Sequence, residues 1–128
     1  MKIRTLTLLA LLLALILPAG AADLVGKWTA EFESPIGLQK YIYEFKNDGG
    51  HLTGQATFDH SMGKGTVQLK EIKVDADKVS FTEPLTVQGN EITIAYQGTL
   101  AGDELKLTRH VGDFGDEQLT AKRAPAGK

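Results

Sequence analysis

Turn signals recur at near-constant spacing from Ser34 to Gly115, and this rhythm constrains the fold more than any other feature of the chain. They centre near Pro35, Asp48, Met62, Ala76, Gly89, Gly102 and Phe114, about 13 residues apart. Asn47-Asp48-Gly49-Gly50, Gln88-Gly89-Asn90 and Ala101-Gly102-Asp103 offer the residue types that adopt positive φ in tight hairpins. The segments between turns alternate apolar and polar residues, the period of a strand with one buried face. Gly26–Glu33 is the clearest of them. Trp28, the chain's only tryptophan, points the same way as Ala30 and Phe32; Lys27, Thr29, Glu31 and Glu33 point the other way.

Evenly spaced turns separate eight short strands, and every connection is short enough for each strand to pair with the next. A sandwich usually needs a long crossover between its sheets. A simple amphipathic meander closes most readily on itself, so the spacing predicts an all-β, eight-stranded antiparallel up-and-down barrel. The chain has no cysteine, so no disulfide adds to its stability. A closed sheet answers that need, because it leaves few backbone groups unpaired.

Parity within each strand predicts what faces inward. The second strand turns Tyr41, Tyr43 and Phe45 inward, and the third Leu52, Gly54, Ala56 and Phe58. In the fourth, Val67 and Leu69 are out of step with Ile72 and Val74, which predicts a β-bulge near Lys70 and Glu71. The later strands contribute Val79, Phe81, Glu83, Leu85 and Val87, then Ile92, Ile94, Tyr96, Gly98 and Leu100. The last two contribute Leu105, Leu107, Arg109 and Val111, then Glu117, Leu119, Ala121 and Arg123. Every aromatic residue except Phe114 falls on inward parity. Their bulk argues for a filled interior; Ala30, Gly54, Ala56, Gly98 and Ala121 argue for some space.

Glu83 and Arg109 stand on inward parity in otherwise apolar strands. A buried charge is costly unless paired. Three readings follow: a bulge beside Pro84 flips Glu83 outward, the two form a structural pair, or they give the interior a polar handle for a ligand. Glu117 and Arg123 lie nearer strand ends, within reach of water.

The N-terminus reads as a secretory leader. Lys2 and Arg4 precede an apolar run, Leu6–Leu17, and Pro18 leads into Ala19-Gly20-Ala21-Ala22. The run is shorter than the roughly 20 residues of a spanning helix. Cleavage after Ala21 or Ala22 divides the chain into a signal peptide, 1–22, and one barrel domain, 23–128. The expected location is secreted or periplasmic, with no stable membrane insertion once the leader is gone. The formal net charge of −2 becomes more negative without Lys2 and Arg4. A mildly acidic domain with no basic run argues against nucleic acid and anionic membrane surfaces as partners.

Chemical motifs are sparse. His51, His60 and His110 do not stand at metal-ligand spacing. Asp59-His60-Ser61 holds the residue types of a hydrolase triad, but adjacent residues do not form one easily. Asp113, Asp116 and Glu117 lack a calcium-loop pattern. Glu83 with Glu117 is the one carboxylate pair conceivable for glycoside hydrolysis, and nothing in the sequence sets their separation. The expectation is a non-enzyme with no metal and no cofactor.

Gly26-x-Trp28 resembles the opening of the first strand in the lipocalin and avidin group of secreted, calycin-like barrels. That resemblance implies an arginine from the last strand packed over the tryptophan: Arg123, or Lys122 if the register differs by one. Asp48-Gly49-Gly50-His51-Leu52-Thr53-Gly54 also resembles the second hairpin of avidin-type proteins. The chain departs from both groups: it has one tryptophan where avidin-type biotin sites have several, and it lacks the helix and disulfide usual in lipocalins. Leu107–Phe114 and Ala121-Lys122-Arg123 resemble small secreted bacterial β-domains, found free or attached to secreted hydrolases. No activity, and no biotin binding, carries over from these resemblances.

The expected function is a secreted, non-catalytic barrel that binds a small, partly apolar molecule at its open end. Tyr41, Tyr43, Glu83, Tyr96 and Arg109 would line that site, the tyrosines offering an apolar body with a polar tip. The alternative is a protein-interaction barrel, an inhibitor or accessory module of a secreted enzyme. Its contacts would lie in the loops Ser34–Gly37, Asp59–Gly65 and Gly112–Asp116. The leader reading makes a direct prediction: intact-mass measurement of exported protein will place its first residue at Ala22 or Asp23. Recovery of a chain that retains Lys2 through Gly20 would overturn it.

Overall fold

The computed structural model describes residues 19–35, 37–61, 63–87 and 89–125. The expected leader up to Pro18 and the turn centre at Met62 lie outside the described residues, as do the side chains of Val87 and Phe114. The strands are β1 (Gly26–Ser34), β2 (Gly37–Asp48), β3 (His51–His60) and β4 (Gly63–Asp75). They continue with β5 (Lys78–Val87), β6 (Asn90–Ala101), β7 (Glu104–His110) and β8 (Asp116–Arg123). Each pairs antiparallel with the next and β8 returns to β1, giving a closed up-and-down barrel of eight strands. A 3-10 turn, Gly112–Phe114, links β7 to β8.

Two features inside the sheet follow from sequence chemistry. The β4–β5 register shifts between Lys70 and Lys73, and Glu71 takes φ 54°, a bulge where the apolar parity slips. At Gly98 in β6 the neighbouring strand comes so close that a Cβ would lie 1.9 Å from the Lys106 carbonyl oxygen, so only glycine fits.

One helical turn, α1 (Ala19–Leu24), precedes β1 and was not foreseen by the strand pattern. It spans the expected cleavage site. Gly20 packs so tightly on the β4–β5 turn that a Cβ there would lie 2.1 Å from the Ala76 carbonyl oxygen. Leu24, fully buried, plugs this end of the barrel. The Trp28 indole N–H donates to the Leu24 carbonyl at 2.9 Å. The register Trp28↔Arg123 lays the Arg123 guanidinium over the indole, 4.3 Å from the ring centroid. Its Nη1 donates to the Val25 carbonyl at 3.0 Å and its Nη2 to the Asp23 carbonyl at 2.6 Å. Cleavage after Ala21 or Ala22 would spare both of those acceptors and Leu24.

The ring is zipped at this end only along two of its seams. The β8–β1 ladder consists of Trp28↔Arg123 and Thr29↔Lys122, although β1 continues to Ser34 and β8 begins at Asp116. The β4–β5 ladder runs from Asp75↔Lys78 to Lys70↔Thr82 and stops just before Glu83 and Pro84. Proline has no N–H with which to extend a ladder. Toward the other end, here the loop end, β1–β4 and β5–β8 are therefore two half-sheets without a shared backbone ladder.

Because Arg123 both covers the indole and satisfies two carbonyls, Arg123→Met should cost about 1–3 kcal/mol of stability in urea unfolding. Lys122→Met, at an exposed neighbour, should change it by less than about 0.5 kcal/mol. Equal midpoints for the two variants would contradict the assignment.

Candidate functional site

Where the backbone ladders stop, side chains join the halves. From the first half, β2 presents Gln39, Tyr41 and Tyr43 at alternate positions; from the second come Glu83 on β5, Tyr96 on β6, Arg109 on β7 and Glu117 on β8. All but Glu117 are buried in the barrel. The structure thus brings together all five residues expected to line a site.

The Tyr41 hydroxyl donates to Glu83 Oε2 at 2.8 Å, and the Tyr96 hydroxyl donates to Oε1 at 2.6 Å. Because the Tyr96 proton is spent on Glu83, the 3.0 Å contact between Tyr43 and Tyr96 assigns Tyr43 as donor. Arg109 Nη2 donates to the Tyr41 oxygen at 3.3 Å and lies 3.8 Å from Glu83 Oε1. Its Nη1 donates to Gln39 Oε1 at 3.3 Å and to Glu117 Oε1 at 3.0 Å. The guanidinium sits 5.2 Å from the Phe32 ring centroid, 5.1 Å from Tyr41 and 5.6 Å from Tyr96, within cation–π range of each. Its Nε–H is the one buried side-chain donor with no partner among the described residues.

The flipped-out reading of Glu83 is corrected here. Its side chain is fully buried, and the β5–β6 register passes unbroken through Glu83↔Ile94, Pro84↔Thr93 and Leu85↔Ile92. The bulge lies in β4 instead, between Lys70↔Thr82 and Lys73↔Ser80. Glu117, expected within reach of water, is 14% exposed and bound to Arg109. Gln39 was missed, although it shares the parity of Tyr41; a lone glutamine ahead of two tyrosines carries little signal by itself.

Burial raises the Glu83 carboxyl above its ordinary value of 4.5, against the opposing hydrogen bond from Tyr96, the Arg109 charge and the Tyr41 hydrogen bond. Burial also lifts Tyr41, Tyr43 and Tyr96, so all three remain neutral phenols. Arg109 loses hydration as well, but the phenol oxygens of Tyr96, Tyr41 and Tyr43 and the Glu83 carboxyl outweigh that loss, and it stays protonated.

The remaining motifs lie elsewhere. His110 pairs with Asp116 on the outer face, and His60 stacks on Phe58 with centroids 5.0 Å apart. Arg109 stands between Glu83 and Glu117, the carboxylates that a glycosidase reading would pair across a substrate. Among the described residues no group of three or more metal-ligating side chains is assembled. Compared with known proteins, the chain matches no family model, no curated protein and no solved structure.

Two outcomes follow from this geometry. Arg109→Met leaves Glu83 and Glu117 without their cation and should cost about 3–5 kcal/mol, part of it recovered in the double variant with Glu83→Gln. The folded Glu83 pKa lies above its unfolded value, so its contribution to stability is complete below about pH 4.5 and is lost as pH rises through the raised value. Urea titrations from pH 4 to about pH 8 should therefore show Glu83→Gln gaining on the parent as pH rises. A pH-independent difference would refute the assignment.

Proposed function

We propose that this protein is a secreted or periplasmic, non-catalytic binding barrel that takes a small, partly apolar molecule at its loop end. The observation that carries this reading is the orphaned Arg109 Nε–H, buried inside the barrel. Leu85, Ile92 and Val111, half-buried at or just beyond the loop ends of β5, β6 and β7, would line the mouth through which the guest enters. A buried donor without a partner costs about 1–3 kcal/mol, and a guest's carbonyl, ether or hydroxyl oxygen recovers that energy. The guest's apolar part then covers the mouth.

The unzipped seams supply the route in. Admission of a guest between the half-sheets breaks side-chain contacts rather than ladder rungs, the Arg109–Gln39, Arg109–Tyr41 and Tyr41–Glu83 bonds among them. The calycin resemblance supports the same reading: the meander and the Trp28–Arg123 contact are what that group of barrels leads one to expect. Fatty, strongly anionic guests suit the site less well, because Glu83 and Glu117 already surround the one cation.

The test is native mass spectrometry of protein purified from its own exported fraction. A non-covalent adduct of low mass is expected, lost on denaturation. Leu85→Trp narrows the mouth without touching the polar cluster. It should reduce adduct occupancy at least about tenfold, with a change in stability of less than about 1.5 kcal/mol. A clean spectrum from the parent protein, or equal occupancy in the variant, would overturn the proposal.

A further inference from the structure

We infer that the outer face of β1–β4 docks a second copy of this chain, about a two-fold axis that runs along the strands between β2 and β3. Ladder register places the outward side chains of these strands in rows. Glu31↔Lys40, Lys40↔Asp59 and Asp59↔Lys64 form one row; Thr29↔Ile42, Ile42↔Thr57 and Thr57↔Thr66 form the next. The first row alternates in sign across all four strands. Its ion pairs are loose, 3.7 Å for Lys40–Glu31 and 3.9 Å for Lys64–Asp59, and each of the four side chains is more than half exposed. Each group therefore retains hydrogen-bonding positions that the pair within the chain does not use.

A second observation falls on the same face. Among the described residues, Leu38 and Ile42 are the large apolar side chains left exposed, at 46% and 43%, and both lie on β2. Ile42 lines a surface groove of about 620 Å³ on this wall, with Thr29, Lys40, Thr57 and Asp59 around it. The row next to the charges is an isoleucine among threonines. Thr57 and Thr66 turn their hydroxyls to each other at 3.2 Å, so part of the polar surface of that row is already satisfied.

The order of signs selects the occupant. Two acids and two bases carry no net charge, so the row offers no field to a partner of a single sign. It fits a surface with the same alternation in reverse, and an isologous contact supplies one. The two-fold reverses the order of strands: Glu31 meets Lys64 of the partner subunit, and Lys40 meets Asp59 of the partner subunit. In the next row Ile42 rests on Thr57 of the partner subunit. Elsewhere along the axis the pairs Glu44↔Gln55, Lys46↔Thr53 and Asp48↔His51 exchange partners without setting like charges together. The contact uses the outer wall, so its test is independent of any guest inside the barrel.

The test is sedimentation velocity of the exported chain from about 10 µM to about 1 mM. It should show a monomer–dimer equilibrium that moves toward monomer as salt is raised. Over the same range, NMR signals of Thr29, Ile42, Thr57 and Thr66 should move with concentration, and those of Ser80, Gln97 and Thr108 on the opposite wall should not. Lys40→Asp opposes two carboxylates at both symmetric positions and should weaken dimerisation at least about tenfold; Asp59→Lys does the same with two cations. Mixed in equal amounts, the two variants restore opposite charges at both positions and should associate at least about tenfold more tightly than either alone. Both substitutions fall at exposed positions, so urea unfolding should show each variant folded like the parent. A monomer at about 1 mM, shifts confined to another wall, or a mixture no tighter than either variant alone would overturn the inference.

Discussion

The barrel closes on itself through very little. Two residue pairs join the last strand to the first, and no disulfide shares the load. What holds the ring shut is a clasp around Trp28. The indole N–H reaches back to Leu24, and the Arg123 guanidinium covers the ring while tying down Val25 and Asp23. The clasp answers several needs at once. It fixes the register of β1 against β8, seals an apolar interior with Leu24, and satisfies carbonyls that the end of a six-residue helix leaves without intrahelical partners.

From that sealed end the barrel changes character along its axis. Near the clasp it is a continuous sheet around aromatic packing, with Phe45, Phe81, Tyr43 and Tyr96 in mutual ring contact. Toward the loops, two of the eight seams lose their ladders, and a hydrogen-bonded chain through Tyr43, Tyr96, Glu83, Tyr41 and Arg109 spans the halves instead. Backbone ladders are short-range and repetitive, whereas this chain depends on one carboxylate and one guanidinium. A buried ion pair is a weak source of net stability compared with well-packed apolar groups of the same volume.

Much of the architecture was legible because it follows from period and punctuation. Turn spacing yields the strand number, and parity places Trp28, Tyr41, Tyr43, Glu83, Tyr96 and Arg109 inside. The slip between Leu69 and Ile72 locates the bulge. Other features escaped for physical reasons. The helical turn at Ala19–Leu24 is too short to show a helical period, and its signal is masked by the small residues of an expected cleavage site. Pro84 suggested a local flip of Glu83, but proline removes a donor, fixes its own φ and holds the residue before it extended, as a strand requires. The loss is absorbed at a seam, and the strand keeps its parity. Seam opening itself leaves no mark on period-2 alternation, because a strand that has lost its neighbour still alternates.

The proton on Glu83 ties these levels together. With Glu83 ionised, both tyrosine hydroxyls donate to it and every hydrogen bond in the chain has one direction, from Tyr43 through Tyr96 and from Arg109 through Tyr41. Protonation converts one carboxylate oxygen into a donor. The tyrosine facing that oxygen must then accept, and its own proton must find another partner. At Oε1 the reversal passes through Tyr96 to Tyr43 and stays within aromatic packing. At Oε2 it falls on Tyr41, whose oxygen then accepts from Glu83 as well as from Arg109 and whose own proton loses its partner. The two oxygens are therefore unequal in where the displaced proton falls: on Tyr43 for a proton held at Oε1, and on Tyr41 for one held at Oε2.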